Sequence, residues 1–287
     1  MPRVIILGSG TPTPSPIRWG SSFMVEIGGE WLMFDCGPAT TYKLYKFGLT
    51  ATQVDRLFFT HHHSDHDADY PTFLLTRFDM SIGNENELLV YGPRLTEQLT
   101  ERLIGEDIGA FWHDIVARTN HPLSLFAHQE RGGSIPRKPP AVVPRDISPG
   151  TIATGKNWEI TADRVEHVQP YLDSLAYRID SNEGSIVFTG DTEPCEDVVQ
   201  LAKDADVMFC MCWDDEETMI ENKESHGVCG TLGAANMAQE AGVKKLVLTH
   251  LGPNLARHPI MEKGIGDVKN RYDGELIFSD ELLSVDV

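Results

Sequence analysis

Between residues 60 and 69 the chain reads THHHSDHDAD, four histidines and three aspartates in ten residues, directly after the apolar run RLFF (56–59). Imidazole nitrogens and carboxylate oxygens are the ligands that divalent transition metals take, so this stretch points to a metal site. The pattern His-x-His-x-Asp-His is carried by His61, His63, Asp65 and His66. Two histidines one residue apart in an extended loop face the same side, so His61 and His63 can grip one ion together. Asp65 and His66, further round the turn, can reach a second. A solvated polar loop is the competing reading of any one of these residues, and the complete pattern at a strand end weighs against it.

A tight site needs three or four protein ligands per ion, so more must come from elsewhere. Three residues stand where an apolar run ends: His167 in RVEHVQPY, Asp191 in IVFTGDTEPC and His250 in KLVLTHLGP. Each alone reads equally as a turn or capping residue. Together they complete a two-metal site. Two cations sharing a water lower its pKa, so that a hydroxide nucleophile exists near neutral pH, and they polarise the electrophile it attacks. The expected reaction is hydrolysis, with Asp65 orienting the nucleophile while it ligates. Asp35 in MFDCG reads either as the support that holds a ligand histidine or as a turn residue after a strand. Trp213 and Asp214 in CMCWDDEE follow another apolar run and fall on the same rim, the indole being either a platform for a flat substrate or a core residue. Nitrogen and oxygen ligands favour Zn2+, and Mn2+ or Fe tolerates the same set.

These side chains must be positioned by the elements before them. Short β-rich runs recur between turn signals at 4–8, 22–28, 30–35, 56–60 and 87–92, and again at 157–162, 174–180, 185–191, 206–212 and 245–250. SFMVEIG (22–28) alternates as a half-exposed strand does, whereas several others are continuously apolar, as in strands covered on both faces. Helical patterns fall at 40–48, 94–105, 196–205 and 230–242. The expected fold class is α/β, sheets with helices packed outside. Residues 107–150 differ, beginning as an amphipathic helix and becoming rich in Pro, Gly and Arg. This excursion, with Phe111, Trp112, Leu123, Leu125 and Phe126, reads as a lid over the site, as the contact of a homodimer or as a packing helix.

With 287 residues and 41% hydrophobic content the chain can build a substantial core. Its formal charge of −19 opposes extended docking on a phosphate backbone, so nucleic acid is not the expected partner. Five cysteines without a CxxC spacing indicate neither a disulfide framework nor a zinc finger and suit a reducing compartment. The opening MPRVIILGSGTPTPSP is too short in apolar residues for a signal or membrane segment, so the expectation is a cytoplasmic protein without membrane contact.

The motifs also carry a family resemblance. The opening IILGSGTPTPSPIRWGSSFMVEIGGEWLMFDCG, then THHHSDH, HVQPY, FTGDT and LVLTHLGP, in that order, resemble the metallo-β-lactamase superfamily and within it the ribonuclease Z-like branch. The resemblance covers nearly everything outside 107–150. It implies a single domain over 1–287, a four-layered αββα sandwich of two mixed sheets with the metals at one edge. Carried onto this sequence, it puts one ion on His61, His63, His167 and Asp191 and a second on Asp65, His66, Asp191 and His250, bridged by Asp191. It also gives His226 in ESHGVCGTLGAA the work of stabilising charge or protonating the leaving group, against a merely structural place before a helix.

Two departures weigh against a tRNA 3′-processing endonuclease. SLAYRIDSNEGSIVFTGDT runs straight to Asp191 with a hairpin-sized turn where that branch carries a Gly/Pro-rich arm. Cys210-Met211-Cys212-Trp213 replaces the expected His-Glu-Ala-Thr, putting methionine where an acid would pair with the catalytic histidine. RGGSIPRKPP, MCWDD and HVQPYLDSLAYR are instead similar to a small-molecule subgroup that includes the hydrolytic dehalogenase of chlorothalonil, although this chain keeps His61. The expected function is therefore metal-dependent hydrolysis of a small molecule, the bond being an ester, amide, lactone, sulfate, phosphodiester or aryl halide. The tRNA endonuclease and a non-catalytic metal-binding module are the alternatives.

Overall fold

The apolar runs become two sheets of seven strands. The computed structural model describes residues 1–287 except 14, 84 and 258. The strands, in chain order, are β1 (Arg3–Gly8), β2 (Ser22–Ile27), β3 (Glu30–Phe34), β4 (Arg56–Phe58), β5 (Leu88–Gly92), β6 (Val142–Asp146), β7 (Gly150–Thr154), β8 (Trp158–Arg164), β9 (Leu175–Ser181), β10 (Gly184–Phe188), β11 (Val207–Met211), β12 (Lys245–Thr249), β13 (Glu275–Phe278) and β14 (Ser284–Asp286). One sheet has the order β14-β1-β2-β3-β4-β5-β6 and the other β13-β12-β11-β10-β9-β8-β7. In each, antiparallel neighbours give way to parallel ones, at β3–β4 in the first and β10–β11 in the second. Parallel strands all end at the same sheet edge, so the loops after β4, β10 and β12 emerge together.

The helices are α1 (Thr40–Phe47), α2 (Ser64–Asp67), α3 (Tyr70–Met80), α4 (Thr96–Ile104), α5 (Trp112–Asn120), α6 (Pro122–Glu130), α7 (Glu196–Leu201), α8 (Glu216–Asn222), α9 (Thr231–Ala241) and α10 (Ile260–Lys269). Aromatic side chains fill the space between the sheets: Phe34 stacks on Phe188 at 4.5 Å and on Phe58 at 5.0 Å. Outside the first sheet a second core forms with Leu44, Tyr70, Phe73 and Leu74 of α1 and α3; outside the second sheet a third includes Val198 of α7, Ala234, Ala235 and Ala238 of α9 and Val268 of α10. These three cores separate four layers, αββα. Removing one interior ring such as Phe34 should cost about 3–5 kcal/mol.

Two expectations need correction. β2, read as half exposed from its alternation, is buried along almost its whole length, because both the helix layer and the facing sheet cover it. Residues 142–146, placed inside the excursion, are the edge strand β6, paired in parallel with β5 from Leu88↔Val142 to Gly92↔Asp146. The Pro in VVPRD masked that strand, yet Pro is tolerated at a sheet edge. The excursion proper is the pair α5 and α6 followed by 131–141. Among the described residues no helix is long and apolar enough to cross a membrane.

Candidate metal centre

Seven side chains converge at the edge where the parallel strands end: His61, His63 and His167 in one group, and Asp65, His66, Asp191 and His250 in another. β4 stops at Phe58 and the chain passes through Thr60 into the histidine loop; α2, a single helical turn, then swings Asp65 and His66 back toward the sheet. His167 lies in the β8–β9 loop, Asp191 follows β10 and His250 follows β12.

The proton positions follow from the hydrogen bonds. Thr60 Oγ1 lies 2.9 Å from Asp35 Oδ2 and 3.1 Å from His61 Nδ1. A carboxylate only accepts, so the hydroxyl donates to Asp35 and receives the His61 Nδ1–H, which leaves His61 Nε2 as a bare lone pair. His66 Nδ1–H donates to Asp35 Oδ2 at 2.7 Å, and His167 Nδ1–H donates to the Gly227 carbonyl. That leaves Nε2 of each as the nitrogen turned to the metal site. Nε2 of His61 and Nε2 of His167 each stand 3.1 Å from His63 Nδ1. Ligands ~2.0–2.1 Å from a tetrahedral ion are roughly 3.3 Å apart, so this spacing suits a cation among them.

In the second group His250 Nε2 stands 3.0 Å from Asp65 Oδ2 and 3.1 Å from Asp191 Oδ2, and His66 Nε2 stands 3.4 Å from Asp191 Oδ1. Asp65 Oδ1, Asp191 Oδ1 and His66 Nε2 are buried without a hydrogen-bond partner. Orphans of this kind cost about 1–3 kcal/mol each or more when charged, and a cation would satisfy all three. Asp191 also reaches the first group, its Oδ2 being 3.9 Å from Nε2 of both His61 and His167. It therefore stands between the two groups. The donor set, imidazoles and carboxylates, fits two divalent ions.

The electrostatics agree. Burial, then the neighbouring His66, holds the His61 pKa well below its ordinary value, and burial with His167 lowers that of His63, so both are neutral and available. Burial alone would raise Asp191, but His250 and His66 outweigh it and keep the carboxylate ionised to well below the usual range. Burial opposes a charge on His66, yet Asp191, Asp35 and Asp65 together raise its pKa well above normal. The carboxylates thus demand positive charge, which protons or metal ions can supply in competition.

Asp35 is both a turn and a support: its φ is 56°, and its carboxylate also accepts the Thr60 N–H at 2.8 Å. Trp213 is half-buried, 6.3 Å from the His250 ring, with its indole N–H donated to Glu224. Asp214 is buried and turned to other work, accepting from the Asn254 amide at 3.0 Å and from the Asp215 N–H at 2.8 Å. His226 is fully exposed in the loop before α9, beside Gly227, which holds His167.

Several participants escaped the sequence reading. Glu193, two residues after Asp191, accepts the Gly227 N–H at 2.8 Å and lies 3.9 Å from His226 Nδ1, an acid beside that histidine although Met211 occupies the expected place. Its position in GDTEP was the available signal. Gly227 and Thr60 act through backbone and hydroxyl groups, which no spacing rule reveals. His62, the fourth histidine of the cluster, points away, its Nε2 2.8 Å from Thr96 Oγ1.

Comparison with known proteins follows the same lines. A model described as the beta-lactamase superfamily domain matches residues 30–251. Ribonuclease Z of Mycobacterium avium (strain 104) is 30% identical over 261 residues, covering 89% of this chain and 88% of that protein. The crystal structure of the metallo-beta-lactamase fold protein YhfI from Bacillus subtilis superposes with a TM-score of 0.73 at 19% identity, covering 99% of this chain and 98% of that one. The short form of human tRNase Z superposes with a TM-score of 0.68 at 21% identity, covering 99% of both chains.

Proposed function

The chain belongs to the metallo-β-lactamase superfamily as a metal-dependent hydrolase with a His/Asp metal site, and from that premise we propose that its substrate is a small molecule. The observation that carries this reading is the turn between β9 and β10, only residues 182 and 183 long. The stretch from His167 to Asp191 thus holds a bare hairpin where an RNA-grasping arm would be inserted. The charge of −19 supports the same choice.

The ligand assignment proposed is His61, His63, His167 and Asp191 for one ion and Asp65, His66, Asp191 and His250 for the other, Zn2+ being favoured over Mn2+ or Fe. When bound there, the ions supply an activated water and an electrophilic contact for the scissile bond. The residues do the rest. Asp65 orients the attacking water, Asp35 and the Gly227 carbonyl fix the ring protons of His66 and His167, and Trp213 offers a wall for the substrate. His226, exposed at the rim with Glu193 beside it, delivers a proton to the leaving group. The excursion exposes Leu123 and Phe126 on α6, which suit a lid or the contact of a cytoplasmic homodimer.

Metal stoichiometry, followed by a panel of esters, an amide, a lactone, an aryl sulfate, a phosphodiester, an aryl halide and pre-tRNA, tests the proposal. The aryl halide tests the closer likeness to chlorothalonil dehalogenase. Cleavage among the small molecules with pre-tRNA left intact is expected. A second reading, the tRNA 3′-processing endonuclease, is favoured by the relative named ribonuclease Z. Efficient pre-tRNA cleavage would reverse the ranking.

A further inference from the structure

The segment RGGSIPRKPP (131–140) takes no part in the metal chemistry. With the end of α3 and the starts of β5 and β6 it encloses a cavity of about 180 Å³, at the opposite end of those strands from the metal-bearing edge. None of the seven clustered side chains lines it. Leu74, Phe78 and Val142 form an apolar wall, and facing it are Arg137, Lys138 and His128.

Arg137 is buried, its guanidinium 4.3 Å above the Phe78 ring and its Nη2 donating to the Phe78 carbonyl at 3.2 Å. Among the described residues no other donor of that guanidinium finds a hydrogen-bond acceptor and no carboxylate pairs with it. Asp79, the nearest acid by its influence, is engaged elsewhere: Oδ1 lies 2.7 Å from Arg118 and Oδ2 3.7 Å from Arg131. Glu85 lies exposed at the mouth and forms no ion pair with Arg137. Arg77, also in the lining, is a contrast, since it donates to the carbonyls of Ala51 and Val54 at 2.6 and 2.5 Å and is a structural anchor.

A guanidinium that lines a cavity with one hydrogen bond and no ion pair has donors to offer an anion, and here it occurs in a chain with 43 acidic residues against 24 basic ones. Burial lowers the Arg137 pKa, Arg118 and Arg131 add to the fall, and Asp79 and Glu85 oppose it. His128 is buried too; its Nε2–H donates to the Ser134 carbonyl at 3.1 Å, and its Nδ1 has no partner. Lys138 is exposed at the entrance and forms no ion pair among the described residues.

We propose that this cavity binds a small organic anion, a carboxylate or phosphate carried on an apolar body, with Arg137 and Lys138 taking the charge and Phe78, Leu74 and Val142 the body. The site is separate from the metal centre. One continuous stretch of chain joins them, since α2 with Asp65 and His66 leads directly into α3 with Arg77 and Phe78.

Calorimetric titration of the metal-loaded protein with benzoate, phenyl phosphate and uncharged benzamide tests this. One equivalent of benzoate or phenyl phosphate should bind, the tighter of the two identifying the headgroup, and benzamide should not. Arg137→Gln should weaken binding about tenfold or more, as loss of a charge-assisted contact does. Because Arg137→Gln can also disturb packing, Lys138→Glu, at an exposed position, provides an independent variant and should weaken binding as well. Absence of saturable binding to the wild type, benzamide binding as tightly as benzoate, or unchanged affinity in both variants, which would put the anion at the metals, would overturn the proposal.

Discussion

Four of the seven clustered side chains come from residues 61–66 after β4, whereas the other three arrive singly, His167, Asp191 and His250 from the ends of β8, β10 and β12. The first half is held by backbone contacts from residues 20 and 36–37. Cys36 N–H donates to the His66 carbonyl at 2.6 Å, and Gly20 and Gly37 pass so close beneath the Asp65 carbonyl that an added Cβ would lie 2.2 and 2.1 Å from it. In the second half Gly227 approaches His167 as closely, whereas Asp191 and His250 follow strands of one sheet. Asp191 and His250 are level because the parallel registers Phe188↔Phe209 and Phe209↔Val247 bring β10, β11 and β12 to a common edge. One half is thus positioned by a loop and the other largely by a sheet, and Asp191 reaches both groups.

The largest effect expected is at that junction. Asp191→Asn should reduce turnover to background and lower the content of both ions, measured by elemental analysis; loss of one ion with the other retained would show that Asp191 serves a single group. Exhaustive chelation should have the same consequence reversibly, with activity returning on addition of the divalent metal. His226→Ala stands outside both halves, so turnover should fall about 10²–10⁴-fold, as for loss of a general acid, with metal content unchanged. Metal loss in that variant would make His226 a structural residue. Asp35→Asn acts within the loop-built half, on His66 directly and on His61 through Thr60, and metal affinity should weaken roughly 10–100-fold. Unchanged metal affinity would show that Asp35 serves only as a turn residue. The smallest effect belongs to His62→Ala, which removes the one histidine of the cluster facing Thr96 and should leave metal stoichiometry and turnover near wild type.

The loop-built half was legible because its ligands are adjacent, so residue type and spacing within six positions carry the geometry. His167, Asp191 and His250 were legible one step less directly, as polar residues closing apolar runs, and the strand starts and ends at β9 to β12 lie within a few residues of the hydrophobic pattern. Glu193 and Gly227 were not legible, because their contacts depend on where the loop before α9 folds back over His167. β6 and β7 were missed for another reason. They are short, partly exposed edge strands whose sequences, VVPRD and GTIAT, carry little apolar signal.

Local chemistry by itself determined the ligand types, the hydrolytic class and the α/β character, since metals select donors by element and charge, and strands by apolar runs. Which ring nitrogen faces the metal site, the contacts that set Asp191 between the groups, and the absence of an ion pair at Arg137 among the described residues were decided only in three dimensions. Those properties depend on distances between segments far apart in the chain, and distance enters both the hydrogen bond and the Coulomb energy where sequence separation does not.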